Sequence, residues 1–375
     1  MSKIAVIGAG PAGCSAGYHL AKSGHQVTLI DKESFPREKI CGDGVSLQSV
    51  QALSTMGIYP QDIKARVSEF TPINGLVLGV SNGNYHMQTT PLEGYCIPRF
   101  FFDNLLYERA INAGCIGRTQ RIANIDRYHQ ELYSDFDFII DARGVYTGEA
   151  NAIAIRAYWI VKSEDFPEAY LSLAQIYFDR SLGIHGYGWI FPADIKAGLL
   201  KLNVGVGIWL NEYQKMNANI IKIFDQFVHR NQQTQELLTK IVSKHKPKAY
   251  PLATALKGNR VSYGKVLKIG DAANLTDPLT GEGIANAILS GLHVTQAINM
   301  STRPDQVAEN WQHLYETCFE EDIRAALRIK SFRKYSFMNN MLVWLMKRNQ
   351  RFSEQVTYAI VGSVPYNEVL PSLKH

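Results

Sequence analysis

Gly8, Gly10 and Gly13 stand near the start of the chain in the order G-x-G-x-x-G. Residues of this type at this spacing suit the diphosphate of a dinucleotide. Gly8 permits a tight turn, Gly10 lets the backbone approach the phosphates, and Gly13 lets the next helix pack close to a sheet. Pro11 and Ala12 belong to the same loop, at a helix N-terminus whose free N–H groups face an anion. Asp31 stands 18 positions beyond Gly13 and can accept hydrogen bonds from a ribose, with Lys32 beside it. The elements needed to position these groups are legible. Ile4–Ile7 is an apolar, β-branched run that reads as a buried parallel strand. A helical pattern through Ala16, Leu20 and Ala21 closes at Gly24, and Val27–Ile30 is a second strand ending at Asp31.

A second glycine cluster bears on which dinucleotide is bound. The strand Val266–Ile269 leads into Gly270-Asp271-Ala272-Ala273 and then Asp277-Pro278-Leu279-Thr280-Gly281-Glu282-Gly283-Ile284. A helical pattern follows through Ala287, Leu289, Leu292 and Ala297. A helix N-terminus in this position suits a partly anionic group, such as N1 and the C2 carbonyl of a reduced flavin. The G-x-G-x-x-G loop alone does not separate FAD from NAD; the two clusters together point to FAD.

With both clusters in one chain, the sequence resembles the FAD-dependent oxidoreductases built like p-hydroxybenzoate hydroxylase. That resemblance implies that Asp271 binds the ribityl chain and that the amides near Gly281, Gly283 and Ile284 face the flavin ring. Further segments resemble the geranylgeranyl reductase family: Phe35-Pro36-Arg37-Glu38-Lys39-Ile40-Cys41-Gly42-Asp43-Gly44, Ile97-Pro98-Arg99 with Phe102-Asp103, and Tyr187-Gly188-Trp189-Ile190-Phe191-Pro192 followed by the strand Leu202–Gly207. The similar segments run from residue 4 to about residue 298. By family position Arg37, Cys41, Gly42 and Arg99 join the FAD-binding set, together with Gly270 and Pro278. The chain departs from the superfamily at Ile140-Asp141-Ala142-Arg143-Gly144, where an Ala-Asp-Gly step is common. That departure bears on how a nicotinamide would bind.

Cys41, Tyr187 and Trp189 are the candidate catalytic residues. Cys41 reads either as a thiol beside the flavin or as a small buried side chain. Tyr187, Trp189 and Phe191 alternate, so on a strand they point one way, as a cavity wall or as sheet core. Arg37 and Lys39 form either an anion-gripping loop or a solvated charged one. Gly79-Val80-Ser81-Asn82-Gly83 has the letters of a hydrolase elbow, but the following residues alternate like a strand, and Asn82-Gly83 signals a hairpin. No metal site is expected: there is no H-E-x-x-H and no C-x-x-C among five cysteines, which also excludes a disulfide scaffold.

The expected architecture is α/β: a discontinuous Rossmann-like FAD-binding domain, an antiparallel β-sheet substrate domain and C-terminal helices. The domain boundaries are 1–60, 95–150 and 260–300 for FAD, 61–94 and 151–259 for the substrate sheet, and 301–375 for the helices. Hydrophobic residues make up 46% of 375, charged residues 19%, and the net charge is +5. That balance fits a sizeable soluble core and, with no run of like charges, excludes nucleic acid as an expected partner. No run approaches 18 apolar residues, so no spanning helix is expected, and the Ile4–Ala16 stretch reads as strand and turn rather than a signal-peptide core. A cytoplasmic protein is expected. Residues 324–351 are basic and apolar by turns, which fits either a helix docked on the body or a peripheral membrane contact. The leading functional expectation is reduction of C=C bonds in a lipophilic, isoprenoid-like small molecule, with NAD(P)H or another donor reducing the flavin. The alternatives are an FAD-dependent monooxygenase (hydroxylase, epoxidase or, less favoured, halogenase) and a non-catalytic prenyl-protein escort.

Overall fold

The computed structural model describes residues 1–368 apart from 81–82, 126–131, 133, 184, 257, 333–334, 336 and 363. Asn82 of the expected hairpin, and Arg333 and Lys334 of the basic segment, therefore lie outside the described residues. In chain order the strands are β1 (Lys3–Ile7), β2 (Gln26–Asp31), β3 (Gly44–Val45), β4 (Thr71–Val80), β5 (Tyr85–Cys96), β6 (Ile116–Thr119), β7 (Phe138–Asp141), β8 (Ala152–Lys162), β9 (Ala174–Phe178), β10 (Tyr187–Lys196), β11 (Leu199–Trp209), β12 (Ile241–Lys244), β13 (Lys248–Leu252), β14 (Ser262–Tyr263) and β15 (Val266–Lys268). The helices used below are α1 (Pro11–Lys22), α2 (Leu47–Ser54), α3 (Arg99–Asn112), α4 (Ile220–Arg230), α5 (Ile284–Met300), α6 (Pro304–Tyr315), α7 (Glu321–Phe332), α8 (Phe337–Arg348) and α9 (Gln350–Ile360).

Two sheets organise the chain. The first runs β14-β15-β7-β1-β2-β6 and is parallel except for the β14–β15 edge pair. Its strands β1, β2, β7 and β15 are apolar runs buried on both faces, by α1, α3 and α5 on one and by Ile122, Ile125 and Leu132 on the other, as parallel sheets require. The strand order reverses at β1, and ligands bind at the carboxyl ends beside such a switch point. The second sheet runs β12-β8-β11-β10-β9-β4-β5-β3, with β13 also paired to β8. It is antiparallel except for the β4–β9 pair.

Helix α1 lies between the first sheet and α5. The approach is close because Gly291 of α5 faces Ala16 and Ser15, where a Cβ would stand 2.5 Å from the Ala16 nitrogen. Ser15 donates to the Ile288 carbonyl at 2.6 Å across this contact. Burial of Trp311, Tyr315 and Phe319 ties α6 and the turn after it to the same core. The expected helical tail is interrupted by a π-type turn at Glu316–Glu320 before α7. Helices α8 and α9 pack on the second sheet through Val343, Met346 and Ile360 against Leu76, Leu78 and Phe178.

Candidate functional site

A cavity of about 660 Å³ opens between the two sheets. On the side of the first sheet it meets the end of β1. Gly8 has a φ of +103°, and a Cβ there would run into the Ala142 carbonyl. A Cβ at Gly13 would run into the Gly8 carbonyl, so this glycine serves helix packing and does not line the cavity. Gly10 differs. Its Cβ would project into open space, with the Arg37 guanidinium the nearest atom at 3.9 Å. Gly10, Pro11 and Ala12 line the cavity, and no side chain caps α1. The first-turn N–H groups of such a helix have no partner within it.

Asp31 closes β2 at the cavity edge. Its carboxylate accepts from Ala9 N at 2.7 Å and Glu33 N at 3.1 Å, which fixes its orientation toward the loop. Lys32 lines the mouth, exposed, 3.6 Å from Glu33. Beneath this edge lies a compact ion cluster. Asp103, fully buried on α3, receives two guanidinium hydrogen bonds from Arg99, at 2.5 and 2.9 Å, and an ion pair from Arg37 at 3.1 Å. Arg37 also lies 3.8 Å from the Asp31 carboxylate, so two guanidiniums and two carboxylates form one ion network at the α1 end of the cavity. Asp141 is bound at both oxygens by Arg143, at 2.9 and 2.8 Å.

The second cluster bounds the cavity from below through Asp271, Thr276, Thr280, Gly281, Glu282, Gly283 and Ile284. Asp271 accepts from Thr276 Oγ1 at 2.9 Å. Gly270 and Pro278 do not line the cavity. Gly270, at φ +59°, has no room for a Cβ, which would stand 2.8 Å from the Ala12 Cβ, and so lets the two glycine clusters meet. The expected row of free amides is also corrected. Gly281 N donates to Asp277 O, and Ile284 N donates to the Glu282 carboxylate, as does Ala285 N. Ser49 Oγ donates to the same Glu282 oxygen at 2.8 Å. Two of the three amides are therefore spent inside the chain, and Glu282 caps α5 with its own side chain. Burial pushes the Glu282 and Asp277 carboxyls above the usual range.

The second sheet forms the roof. Pairing across β10, β11 and β8 sets three rows on one face: Tyr187–Gly207–Ala154, Trp189–Gly205–Arg156 and Phe191–Asn203–Tyr158. Each aromatic of β10 faces the cavity, and glycine stands opposite two of them. A Cβ on Gly205 would overlap the Trp189 indole, so the ring lies flat across β11. From the other side Gly42 approaches the same ring, its would-be Cβ 3.6 Å away. Asn203, fully buried, fixes this arrangement: it accepts from Trp189 Nε1 at 2.9 Å and donates to Cys41 O at 2.9 Å and Asp43 Oδ2 at 2.8 Å. The Tyr158 hydroxyl donates to the same Asp43 oxygen. Asp43 is a non-glycine residue at φ +65°, a conformation held by these bonds. Burial pushes its carboxyl up. Tyr187 donates to the Thr280 carbonyl and joins roof to floor.

Cys41, Gly42, Tyr187 and Trp189 are thus brought together with Gly8, Gly10, Pro11, Ala12, Asp31, Lys32, Arg37, Arg99, Asp271, Gly281, Gly283 and Ile284 around one cavity. Asp103, Arg156, Tyr158, Asn203 and Tyr250 were not singled out as site residues in the sequence. For Arg156 a signal existed: an arginine interrupts the apolar alternation of β8. The roof has two unlike lobes. Beyond Tyr187, the lining is apolar: Leu47, Ile73, Leu76, Ala174, Ile176, Ile360 and Val361. Toward β13 it carries Lys39, Arg156 and Tyr250.

The donor set fits FAD. An uncapped helix N-terminus, a glycine with open space, an acid at the end of β2 and a guanidinium pair match a diphosphate and a ribose, and Asp271 with Thr276 matches a polyol. Comparisons with known proteins agree. Residues 3–40 match the family model described as FAD dependent oxidoreductase, and residues 155–245 match the geranylgeranyl reductase catalytic domain. The chain is 26% identical over 350 residues to digeranylgeranylglycerophospholipid reductase 1 of Methanopyrus kandleri, covering 86% of each protein. It is 24% identical to the digeranylgeranylglycerophospholipid reductase of Methanosarcina acetivorans, over 88% of this chain and 84% of that one. Among solved structures, a geranylgeranyl bacteriochlorophyll reductase-like protein from Thermoplasma acidophilum superposes with a TM-score of 0.73 at 19% identity, over 100% of this chain and 98% of that one. The flavin-dependent brominase Bmp2 superposes with a TM-score of 0.70 at 18% identity, over 97% and 94%.

Proposed function

We propose that the chain is an FAD-dependent oxidoreductase of the geranylgeranyl reductase family that reduces C=C bonds in a lipid carrying isoprenoid-like chains. The observation that carries this reading is the apolar lobe between β4, β9, β10 and α9, which has the chemistry of a hydrocarbon site. Bound FAD, once reduced by NAD(P)H or an equivalent donor, supplies the two-electron chemistry that saturates such a bond.

The chain's own residues divide the work. The N-terminus of α1 with Arg37 and Arg99 holds the diphosphate, Asp31 the adenosine ribose and Asp271 the ribityl chain. Gly42 and Trp189 close on each other at the point where the lobes join, which makes room for flat groups and excludes water. Tyr187 donates its proton to the Thr280 carbonyl, and burial raises its phenol above the ordinary value. It therefore acts as a neutral wall, not as a base. Cys41 lies half-buried beside it, a position that suits contact with the substrate.

We also assign a peripheral membrane contact to the C-terminal helices. Phe337, Met341 and Trp344 are exposed at i, i+4 and i+7 on α8, and Arg348 lies over the Trp344 ring at 4.9 Å. Between Ile323 and Ser353 the sequence has Lys and Arg but no Asp or Glu, which complements an anionic lipid surface. Among the described residues no helix is long and apolar enough to cross a membrane.

Product mass spectrometry of the reduced enzyme with a polyprenyl-lipid panel, with and without oxygen, tests the reaction. Reduction predicts a gain of about two mass units per bond under both conditions. Products that carry oxygen or halide and vanish without air would replace this reading with the monooxygenase or halogenase one. A protein that takes up no FAD would favour the escort.

A further inference from the structure

Arg156 is buried in the roof, 5% exposed, yet among the described residues it has no ion pair and its Nε has no hydrogen-bond partner. Its guanidinium rests 3.9 Å from the centre of the Tyr158 ring. The carboxylate that attracts it, Asp43, is already bound at one oxygen by Tyr158 and Asn203, and its other oxygen is also unpartnered. The second cation of this lobe is Lys39. Its ammonium lies 3.0 Å from the centre of the Tyr250 ring and makes no ion pair among the described residues. Tyr250 pairs with Ala154, two residues from Arg156 on the same face of β8. Both cations line the cavity.

An unpaired buried charge is expensive, and a guanidinium without its hydrogen bonds more so. The other buried cations of this cavity, Arg37, Arg99 and Arg143, each hold a carboxylate within 4.0 Å. Lys39 and Arg156 differ from them in having none. Burial, and then repulsion from Arg99, pulls the Lys39 ammonium down to about 7, the behaviour of a cation short of an anion.

We propose that Arg156 and Lys39 form a subsite for the phosphoryl group of a second ligand, separate from the FAD diphosphate loop. Arginine with lysine beside it is a phosphate-recognising pair. The subsite rests on the reading of the cavity as an FAD and lipid site, and it gives that cavity a polar pole opposite its apolar lobe. An amphiphile with a phosphorylated head and a hydrocarbon tail would span the two, passing Trp189. A phosphorylated nicotinamide donor offers the same group.

The test uses FAD-loaded protein, titrated with NADP⁺, geranylgeranyl diphosphate and geranylgeraniol and followed through the flavin absorbance. Inorganic pyrophosphate should compete with at least one phosphorylated probe. Arg156→Gln should weaken that probe by about tenfold or more, while geranylgeraniol and FAD affinities stay within about twofold. Weakening of NADP⁺ assigns the subsite to the donor, and weakening of the diphosphate assigns it to the lipid head. If neither phosphorylated probe weakens, or FAD affinity falls in parallel, the subsite is wrong. Should Arg156→Gln not fold, Lys39→Met carries the same expectations, and pyrophosphate competition on the wild type stands by itself. Failure of the wild type to take up FAD would instead overturn the cofactor reading.

Discussion

The floor and the roof of the cavity are built on different principles. On the floor, backbone does most of the shaping: glycines bring strands, loops and helix N-termini to the cavity surface. On the roof, side chains do it. Asn203 alone bridges Trp189, Cys41 and Asp43, three residues from two other elements. A backbone site tolerates change in its side chains but fails at a misplaced Cβ. A side-chain bracket should fail by degrees.

The glycine pair Gly10 and Gly13 gives the largest expected effects and separates folding from binding. Gly13→Val should prevent folding, because its Cβ meets the Gly8 carbonyl. Gly10→Val should fold, because its Cβ enters open cavity, yet purify without flavin absorbance. A yellow Gly10→Val protein would break the assignment of that loop to the diphosphate. Next comes Asp103→Ala, which strands the Arg99 guanidinium and leaves Arg37 with only Asp31, 3.8 Å away. A loss of about 3–5 kcal/mol in urea unfolding of the apoprotein is expected; a loss under about 1 kcal/mol would mean that solvent, not Asp103, balances the pair.

On the roof, Asn203→Ala should cost about 1–3 kcal/mol, the range for orphaned buried polar partners. It should keep FAD but alter tryptophan fluorescence, since Trp189 Nε1 loses its acceptor. Complete loss of FAD in this variant would erase the contrast between floor and roof. The remaining contrast is a pH dependence. Lys39 has its folded value lowered to about 7 from 10.5. Its stabilising contribution is present above 10.5 and is lost as the pH falls through 7, because the folded state resists the proton. Lys39→Met should therefore gain apoprotein stability relative to wild type as the pH falls from 10 to 7. An unchanged difference across that window would show that the ammonium is solvated.

The floor was legible in the sequence because each of its parts is local. The loop from Gly8 to Gly13, the acid at Asp31 and the Gly270–Asp271 turn each sit within a few residues of a strand end. Alternation also placed Tyr187, Trp189 and Phe191 on one face. What sequence could not show is who stands opposite. Asn203 looks like one polar residue in an apolar strand until β10 and β8 are laid beside it. Asp103 was visible in a helix-start motif, but its two guanidiniums come from residues 37 and 99. Local reading also overcounted the amides at Gly281–Ile284, because Glu282 folds back onto its own helix.

The contact of α1 with α5 has a consequence for the order of assembly. Ser15 and Ala16 meet Ile288 and Gly291, partners separated by nearly the whole length of the first sheet's segments. At about 5–20 residues per second of synthesis, the first strand and helix wait roughly 14–55 seconds for the surface that covers them. Non-local closure of this kind slows folding. The α1 face that meets Ile288 and Gly291 therefore stays uncovered for that interval, and the Gly8–Gly13 loop reaches its final surroundings only once α5 has emerged.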